Sequence, residues 1–505
     1  MKKSGVKSPT PGDFLREKRK IRFLRVLLFA VVLIVCAFFI EYVPFKFVRG
    51  IPAMGDLLAR ILRPNFSYLF KIFVPLLDTI EIAVIASFLG TAFSLPLAML
   101  MSKNSGVPVY FYTSLSALFA LLRTVPTLIW AAFLVSMFSV GKFSGIAATF
   151  IIASLIGTRL LREHIDSISE NKILSIKGTG ASRFQILRYC ILPETVPYLI
   201  SVFFTVLESC IRSAAVLGLV GAGGIGQILW KDLNSFRYDN IATIIITLFL
   251  TIFLIDWISS KIKHASGRSV FPAHTVRAFR IKRVLKLCFK VFSVVFLILL
   301  LFSTLQVTGE RFLHGMKQGG YILKNLLTPD FSYVYKLRQG LSESLAIAVF
   351  ATIMGGCIAY GTVALTASNI SPHKGFTWFF KAFTNILRTF PPIISAIIFF
   401  RGVGPGPYAG ALALTIYTAG VMNKLYTEAV ESLPTGIIES LKATGASNLQ
   451  IYRRGIFPES RASFFSLLLY RMESNIRNST ILGMIGAGGI GAALSMNIQW
   501  RNWNR

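Results

Sequence analysis

Leu217-Gly-Leu-Val-Gly-Ala-Gly-Gly-Ile-Gly226 returns as Leu482-Gly-Met-Ile-Gly-Ala-Gly-Gly-Ile-Gly491, 265 residues later. Three more stretches keep that offset. Leu122-Arg-Thr-Val-Pro126 returns as Leu387-Arg-Thr-Phe-Pro391, Thr179-Gly-Ala-Ser182 as Thr444-Gly-Ala-Ser447, and Glu208-Ser-Cys-Ile-Arg212 as Glu473-Ser-Asn-Ile-Arg477. The chain is a tandem duplication. Six apolar spans per unit make the copies parallel, since inverted repeats need an odd number. The halves are predicted to form a pseudo-two-fold pair, each with the same task.

Composition says what kind of molecule is duplicated. The 505 residues are 54% hydrophobic and only 15% charged, with 53 Lys+Arg against 22 Asp+Glu. Soluble domains carry about 25% charge, so a string of soluble domains is excluded. A net charge of +31 on so apolar a chain fits basic cytoplasmic loops of a membrane protein better than a nucleic-acid binder. The 43 Phe argue against disorder. The five cysteines show no CxxC pair or metal spacing and the five histidines are scattered, so neither a disulfide framework nor a metal site is expected.

Val291–Gly309 holds nineteen uncharged residues, enough to cross a bilayer as a helix at about 20 residues per crossing. Similar runs predict spans at 23–43, 80–101, 110–140, 145–161, 196–218, 241–260, 288–309, 346–367, 376–400, 408–425 and 464–485. Runs of this length do not suit a β-barrel, whose strands take about 10 alternating residues. The predicted class is therefore an all-α, polytopic helical bundle. Residues 1–22 carry eight Lys/Arg, as do 261–286, which hold no acid. Both are assigned to the cytoplasm by the positive-inside rule. The predicted organisation is a basic N-terminus (1–22), a first unit (23–262), a basic linker (263–287) and a second unit (288–505). The equivalent of the 241–260 span would begin near position 506, beyond Arg505, so the second unit reads as five spans without its last helix.

The segment 163–195, predicted to be cytoplasmic, has its own turn chemistry. A polar helical stretch reaches Gly180, suited to the left-handed conformation that ends a helix. Ser182-Arg-Phe-Gln185 then forms a capping box, and Pro193 is expected to close a second short helix. Gly445, Ser447-Asn-Leu-Gln450 and Pro458 repeat the pattern. This segment resembles the coupling loop of ABC importer permeases, whose pattern is Glu-Ala-Ala, three residues, Gly, nine residues, Ile, one residue, Leu-Pro. Glu439, Gly445 and Pro458 match in the second half, and Gly180, Leu192 and Pro193 in the first. Leu174 stands at the Glu position, Cys190 and Gly455 at the Ile position, and Phe457 at the Leu position. The LRTVP, ESxIR and LGLVGAGGIG stretches together resemble permeases of phosphonate importers, over about 79–262 and 344 onward. The spans at 23–43 and 288–309 fit the N-terminal helix of each such unit.

The resemblance implies a membrane subunit rather than an enzyme, moving phosphonates or related phosphorus oxyanions by alternating access. It implies two ABC ATPase subunits carrying ATP and Mg²⁺, since no GxxxxGK[ST] loop occurs here, and an extracytoplasmic substrate-binding protein. No cofactor is assigned to this chain. The implied ATPase-coupling residues are Gly180, Ala181, Ser182, Pro193, Glu439, Gly445, Ala446, Ser447 and Pro458. The expected location is the bacterial inner membrane, with a cytoplasmic N-terminus.

Six intramembrane charges are candidates for the path or gate. Glu208 and Arg212, and Glu473 and Arg477, sit i,i+4, so each pair can neutralise itself. A lone charge at the bilayer centre costs about 2.5–3.5 kcal/mol, so a structural role competes with a gating one. Arg123 and Arg388 precede the helix-breaking Pro126 and Pro391. A guanidinium there can match phosphonate oxygens or snorkel to the interface. The GAGGIG stretches follow no strand, which argues against a dinucleotide loop. They fit either a re-entrant turn or close helix packing. Two alternatives remain: an ABC permease for another small solute such as an amino acid, and an ion-gradient secondary transporter using Glu208, Glu473 and Asp256. The latter leaves the duplicated coupling loops unexplained.

Overall fold

The computed structural model describes residues 11–266 and 309–504, apart from 62, 236, 372 and 390. The span expected at 288–309 and most of the basic linker lie outside the described residues. Every regular element among the described residues is helical. In the first repeat these are α1 Pro11–Phe39, α2 Pro44–Ile61, α3 Leu69–Met101, α4 Val109–Thr124, α5 Thr127–Phe138, α6 Lys142–Asp166, α7 Glu170–Lys177, α8 Arg183–Ile186, α9 Leu192–Leu217, α10 Ile225–Asn234 and α11 Tyr238–Ser266. The second has α12 Gly309–Leu326, α13 Val334–Thr366, α14 Lys374–Thr389, α15 Pro392–Val403, α16 Pro407–Glu431, α17 Thr435–Ala443, α18 Asn448–Ile451, α19 Phe457–Gly483 and α20 Ile490–Gln499.

From α2 to α10 each helix has its counterpart in α12 to α20 at the same 265-residue offset, to within a residue at the ends. The duplication is thus continuous in three dimensions and begins well before the motifs that reveal it in sequence. Phe66-Ser-Tyr68 and Phe331-Ser-Tyr333 form matching 3₁₀ turns ahead of α3 and α13.

Two predicted spans are not single helices. The segment 110–140 breaks between α4 and α5 with an 86° bend, and 376–400 breaks between α14 and α15 with the same angle. Pro126 and Pro391 stand at the N-caps of α5 and α15. Proline disfavours helical geometry in the residue before it, which ends the preceding helix. The 23–43 segment likewise turns after Phe39 into α2, bent by 63°. By apolarity and length, five described helices can cross a membrane, or up to eight with each bent pair as one span. The helices over 408–425 and 464–485 form, as α16 and α19, but are too polar to be among those.

The helices gather into two compact units. One is built from residues up to Gly55 with Ser332–Gln499, the other from Asp56–Phe331 with Trp500 onward. In the second, α3, α6 and α9 form a core around Ile82, Ile146, Leu161, Val206 and Ile211. Small residues permit the close approach: a Cβ on Gly157 would lie 2.7 Å from Ser94 Oγ. Such contacts drive helix association in lipid, where burial of apolar surface supplies little. In the other unit α13, α16 and α19 pack around Ala359, Val363, Met422, Tyr426 and Phe464. Its centre also holds Asn475, donating to Thr352 Oγ1 (2.9 Å) and Thr418 Oγ1 (3.0 Å). The first repeat has Cys210, Ser87 and Ala153 at those places.

The C-terminal ends of α6 and α16 are pinned by repeat-related bonds. There the backbone N–H of Lys103 donates to Asp166 (2.9 Å), and that of Ser368 to Glu431 (2.8 Å). Asn104 and Asn369 donate to the carbonyls of Ile165 and Val430, at 2.8 and 2.9 Å. The cation opposite the carboxylate is supplied differently: Arg162 pairs with Asp166 at 3.4 Å, whereas Lys381 pairs with Glu431 at 2.7 Å. Arg162 and Lys381 correspond to Thr427 and Ser116 in the other copy, so the same charge balance is built from a different helix.

At the other end lie the glycine loops. Gly221, Gly223 and Gly224 have φ of +91°, +84° and +74°, and Gly486, Gly488 and Gly489 have +97°, +73° and +80°. Side chains with a Cβ rarely adopt that region. The chain reverses there and starts α10 or α20, whose first N–H is caught by a hydroxyl from α3 or α13 respectively. Ile225 N–H donates to Thr79 Oγ1 (2.8 Å) and Ile490 N–H to Ser344 Oγ (2.9 Å). These loops are packed turns capped by a neighbouring helix.

Thr79→Val orphans the Ile225 N–H, at a cost of about 1–3 kcal/mol. The melting temperature of the purified protein should fall, whereas Thr79→Ser should retain it, as serine does in the second repeat. Burial disfavours the Glu431 charge, but hydrogen bonds from Lys381 and Ser368 outweigh it and hold the carboxyl below its ordinary value. A depressed carboxylate stabilises above its unfolded pKa and loses that contribution as pH falls through the folded one. Melting temperature should therefore drop less steeply on acidification from pH 7 to pH 3 in Glu431→Gln than in the wild type.

Candidate functional site: two elbows and an arginine-lined cavity

Each repeat carries an elbow between two long helices, α6 and α9 in the first and α16 and α19 in the second. In the first, α7 ends at Lys177, the chain turns through Gly180 (φ +82°), and α8 begins. Ser182 caps α8 with a complete box: Gln185 N–H donates to Ser182 Oγ (3.4 Å), and Ser182 N–H donates to Gln185 Oε1 (2.7 Å). In the second, Gly445 has φ +76° and Ser447 N–H donates to Gln450 Oε1 at 2.9 Å. Gly180, Gly445, Ser182, Ser447 and Glu439 are all exposed, and Ala181 and Ala446 are half-buried. An exposed elbow with a fixed turn is what docking onto another surface requires.

Pro193 and Pro458 do not close a second short helix. Helical backbone runs without a break from Arg183 to Leu217, a stretch of 35 residues. Both prolines sit within the first two positions of α9 and α19, after π-helical turns at Leu187–Ile191 and Tyr452–Ile456. A proline clashes with the carbonyl four residues back. One wider π turn absorbs that conflict and lets the helix continue. The elbow is therefore the tip of a rod about 50 Å long, at 1.5 Å per residue, and the glycine loop caps its far end.

The elbows are braced to their rods. Lys172 Nζ lies 2.6 Å from Glu194 Oε1, tying α7 to α9, and His164 stacks on Tyr198 with ring centroids 4.0 Å apart. In the second repeat, a Cβ on Gly455 would overlap Leu441 Cδ1. The glycine at the place of the expected isoleucine thus makes room for a leucine from α17.

The two acid–base pairs form on their rods. Arg212 Nη2 lies 2.7 Å from Glu208 Oε1, and Arg477 Nη1 2.8 Å from Glu473 Oε1. Both are half-exposed and hydrogen-bonded along one helix face, a geometry that serves structure as readily as gating. Arg123 and Arg388 stand in the last turns of α4 and α14, before the 86° breaks, and both engage neighbouring groups.

Arg123 opens into a cavity of about 350 Å³ that also exposes Ser116, Thr158, Arg159, Arg162, Glu163 and Asp166. It lies at the elbow end of α3 and α6. Arg159 pairs with Glu163 (2.7 Å) and Arg162 with Asp166 (3.4 Å). Thr158 Oγ1 is buried and makes no hydrogen bond. Three guanidiniums face two carboxylates, so the wall is net cationic by one charge. The cavity's volume equals that of about twelve water molecules at ~30 Å³ each. Guanidiniums of this kind are planar donors able to meet an oxyanion's oxygens in pairs.

Sequence reading missed Arg159, which fell inside the span predicted at 145–161, and Arg162, Asp166 and Glu431, which lie past the predicted span ends at 161 and 425. The matching Asn104 and Asn369, at the repeat offset, were the available signal. It also missed Arg471, which is 6% exposed with its guanidinium 4.7 Å from the Tyr417 ring. Val206 stands at its place in the first repeat, so no repeated motif marks it.

The comparison with known proteins agrees with this geometry. Residues 94–264 and 361–504 both match the family described as binding-protein-dependent transport system inner membrane component. The phosphate-import permease protein PhnE of Mycolicibacterium smegmatis is 27% identical over 93% of this chain and 88% of its own length. The putative phosphite transport system permease protein HtxC of Stutzerimonas stutzeri is 31% identical over 40% of this chain and 71% of its own. The putative cryptic phosphonate transport system permease protein PhnE2 of Escherichia coli is 48% identical over 16% of this chain and 68% of its own. Such a family implies a multi-pass inner-membrane transport subunit, with an ATPase and a substrate-binding protein as its partners. Since the match spans both repeats and more than half its residues, the chain belongs to the binding-protein-dependent transport system inner membrane components.

Proposed function

We propose that this chain is the fused double permease of an ATP-driven importer for phosphorus oxyanions: phosphate, phosphite or phosphonates. The observation that carries this reading is the alignment along 93% of the chain with a protein named as a phosphate-import permease. The cavity chemistry supports it, because Arg123, Arg159 and Arg162 offer the bidentate donors such oxyanions take. The quaternary ammonium solutes named for more distant relatives, at 25% identity, would find a cationic wall repulsive.

In this reading each elbow seats on one of two ATPase subunits, which bind ATP and Mg²⁺. Gly180, Ala181, Ser182 and Pro193 form one contact, and Glu439, Gly445, Ala446, Ser447 and Pro458 the other. The basic N-terminus lies in the cytoplasm on the elbow side, and the binding protein delivers cargo at the glycine-loop side. Closure of the ATPases moves the rods from one end, and the path opens alternately at the two faces. Glu208–Arg212 and Glu473–Arg477 keep the rods' charges paired during that motion, and Arg123 and Arg388 meet the anion at the bends. The chain divides functionally at its basic linker into two permease units, 23–262 and 288–505.

The test is ATP-driven uptake into proteoliposomes containing this chain, its ATPase and its binding protein. Phosphate, phosphite, 2-aminoethylphosphonate and methionine are supplied in turn. One phosphorus oxyanion should be accumulated and methionine should not. Arg123→Gln should slow that uptake by more than tenfold, the equivalent of one charge-assisted hydrogen bond at about 1.5–3 kcal/mol. Methionine uptake, or no uptake of any oxyanion, contradicts the reading.

A further inference from the structure

The amphipathic helices α2 and α12 occupy matching places in the repeat, yet each packs in a unit made mainly from the other repeat. Residues up to Gly55 belong with Ser332–Gln499, and α12 belongs with Asp56–Phe331. Tyr42, at the corner before α2, stacks edge-on against Tyr408 with ring centroids 5.2 Å apart. The receiving helices are α15 for α2 and α5 for α12, again repeat equivalents.

One feature of the contact is common to both. A Cβ on Gly50 would overlap the carbonyl oxygen of Gly402, and a Cβ on Gly315 would lie 3.1 Å from the carbonyl oxygen of Met137. Gly50 corresponds to Gly315, and Gly402 to Met137. Glycine at this point lets each helix come down onto the backbone of its receiver.

One turn further on, the contact is reversed. In the first case the helix brings Met54 and the receiver offers Gly402: a Cβ on Gly402 would lie 2.6 Å from Met54 Cγ and 2.7 Å from its Sδ. In the second the receiver brings Met137 and the helix offers Gly319, where a Cβ would overlap Met137 Cε and lie 2.9 Å from Sδ. Met54 and Gly319 are repeat equivalents, as are Gly402 and Met137. The knob and the hole have changed sides between the copies.

We propose that this reciprocal Met/Gly exchange matches each amphipathic helix to the receiving helix of the other repeat and rejects that of its own. Own-repeat docking would set Met54 against Met137, crowding two long side chains into space shaped for one. It would set Gly319 against Gly402, leaving a void. An ancestral unit pairing with its own copy needs no such choice. A fused chain holding two unequal copies does, and the exchange supplies it by shape alone, with no charge placed in the membrane.

The test uses the full-length chain in detergent. The double variant M54G/G319M gives each helix the residue of the other while total composition and summed helix propensity stay fixed. Both contacts are then mismatched, and the melting temperature should fall by about 4 °C or more. The quadruple variant M54G/G402M/G319M/M137G restores both matches with knob and hole reversed, and should melt within about 1 °C of the wild type. If the double variant cannot be purified but the quadruple can, the exchange is likewise supported. Because the double variant also makes own-repeat docking the matched arrangement, docking is read beside stability by cross-linking Tyr42→Cys to Tyr408→Cys, which face each other in the wild type. A double variant that is as stable as the wild type and still gives this cross-link, or a quadruple no better than the double, overturns the proposal.

Discussion

The fold rests on a hydroxyl that catches the first N–H of a helix across the glycine loop, Thr79 for Ile225 and Ser344 for Ile490, at 2.8 and 2.9 Å. A backbone donor buried in a packed chain reversal, away from water, needs an internal partner. The two hydroxyls provide it, and the left-handed glycines allow the loop to come close enough. With that end of the rod fixed, and with the Asp166 and Glu431 pins at the ends of α6 and α16, the elbows are left as the exposed, sharply turned tips of stiff helices.

The duplication governs the rest. A 265-residue offset kept from α2 to α10 means that each contact in one copy sets a geometric requirement in the other. Where residues differ, the difference is compensated. Arg162–Asp166 becomes Lys381–Glu431 with the cation on another helix. Lys142, which pairs with Asp78 at 2.7 Å, becomes Pro407, and the carboxylate of Glu343 at the Asp78 position accepts the Gly489 N–H instead, at 2.7 Å. Two copies in one chain can drift apart as long as each local balance survives. The polar centre at Thr352, Thr418 and Asn475 belongs to one copy only and has no counterpart in the other.

Much of this was legible in the sequence, and the reasons differ by element. The repeat, the helical class and the capping box at Ser182 could be read because glycine, proline and capping residues act through local backbone chemistry. The rods were misread: Pro193 and Pro458 look like terminators, and only the π turns before them explain why the helix continues. Arg159 was overlooked inside a span read for its apolar residues, and Arg162 because it lies just past that span's last hydrophobic run. The crossing of α2 onto the other repeat's helices was not legible, since it depends on pairing between residues 54 and 402 that no local pattern records.

The central claim is that the elbows are two equivalent contacts for a partner ATPase, and site-directed cross-linking tests it most directly. Ala181→Cys and Ala446→Cys, placed singly in the assembled transporter, should each cross-link to an ATPase subunit, with yields that change when ATP is added. Cross-linking from only one position, or from neither, would contradict the account.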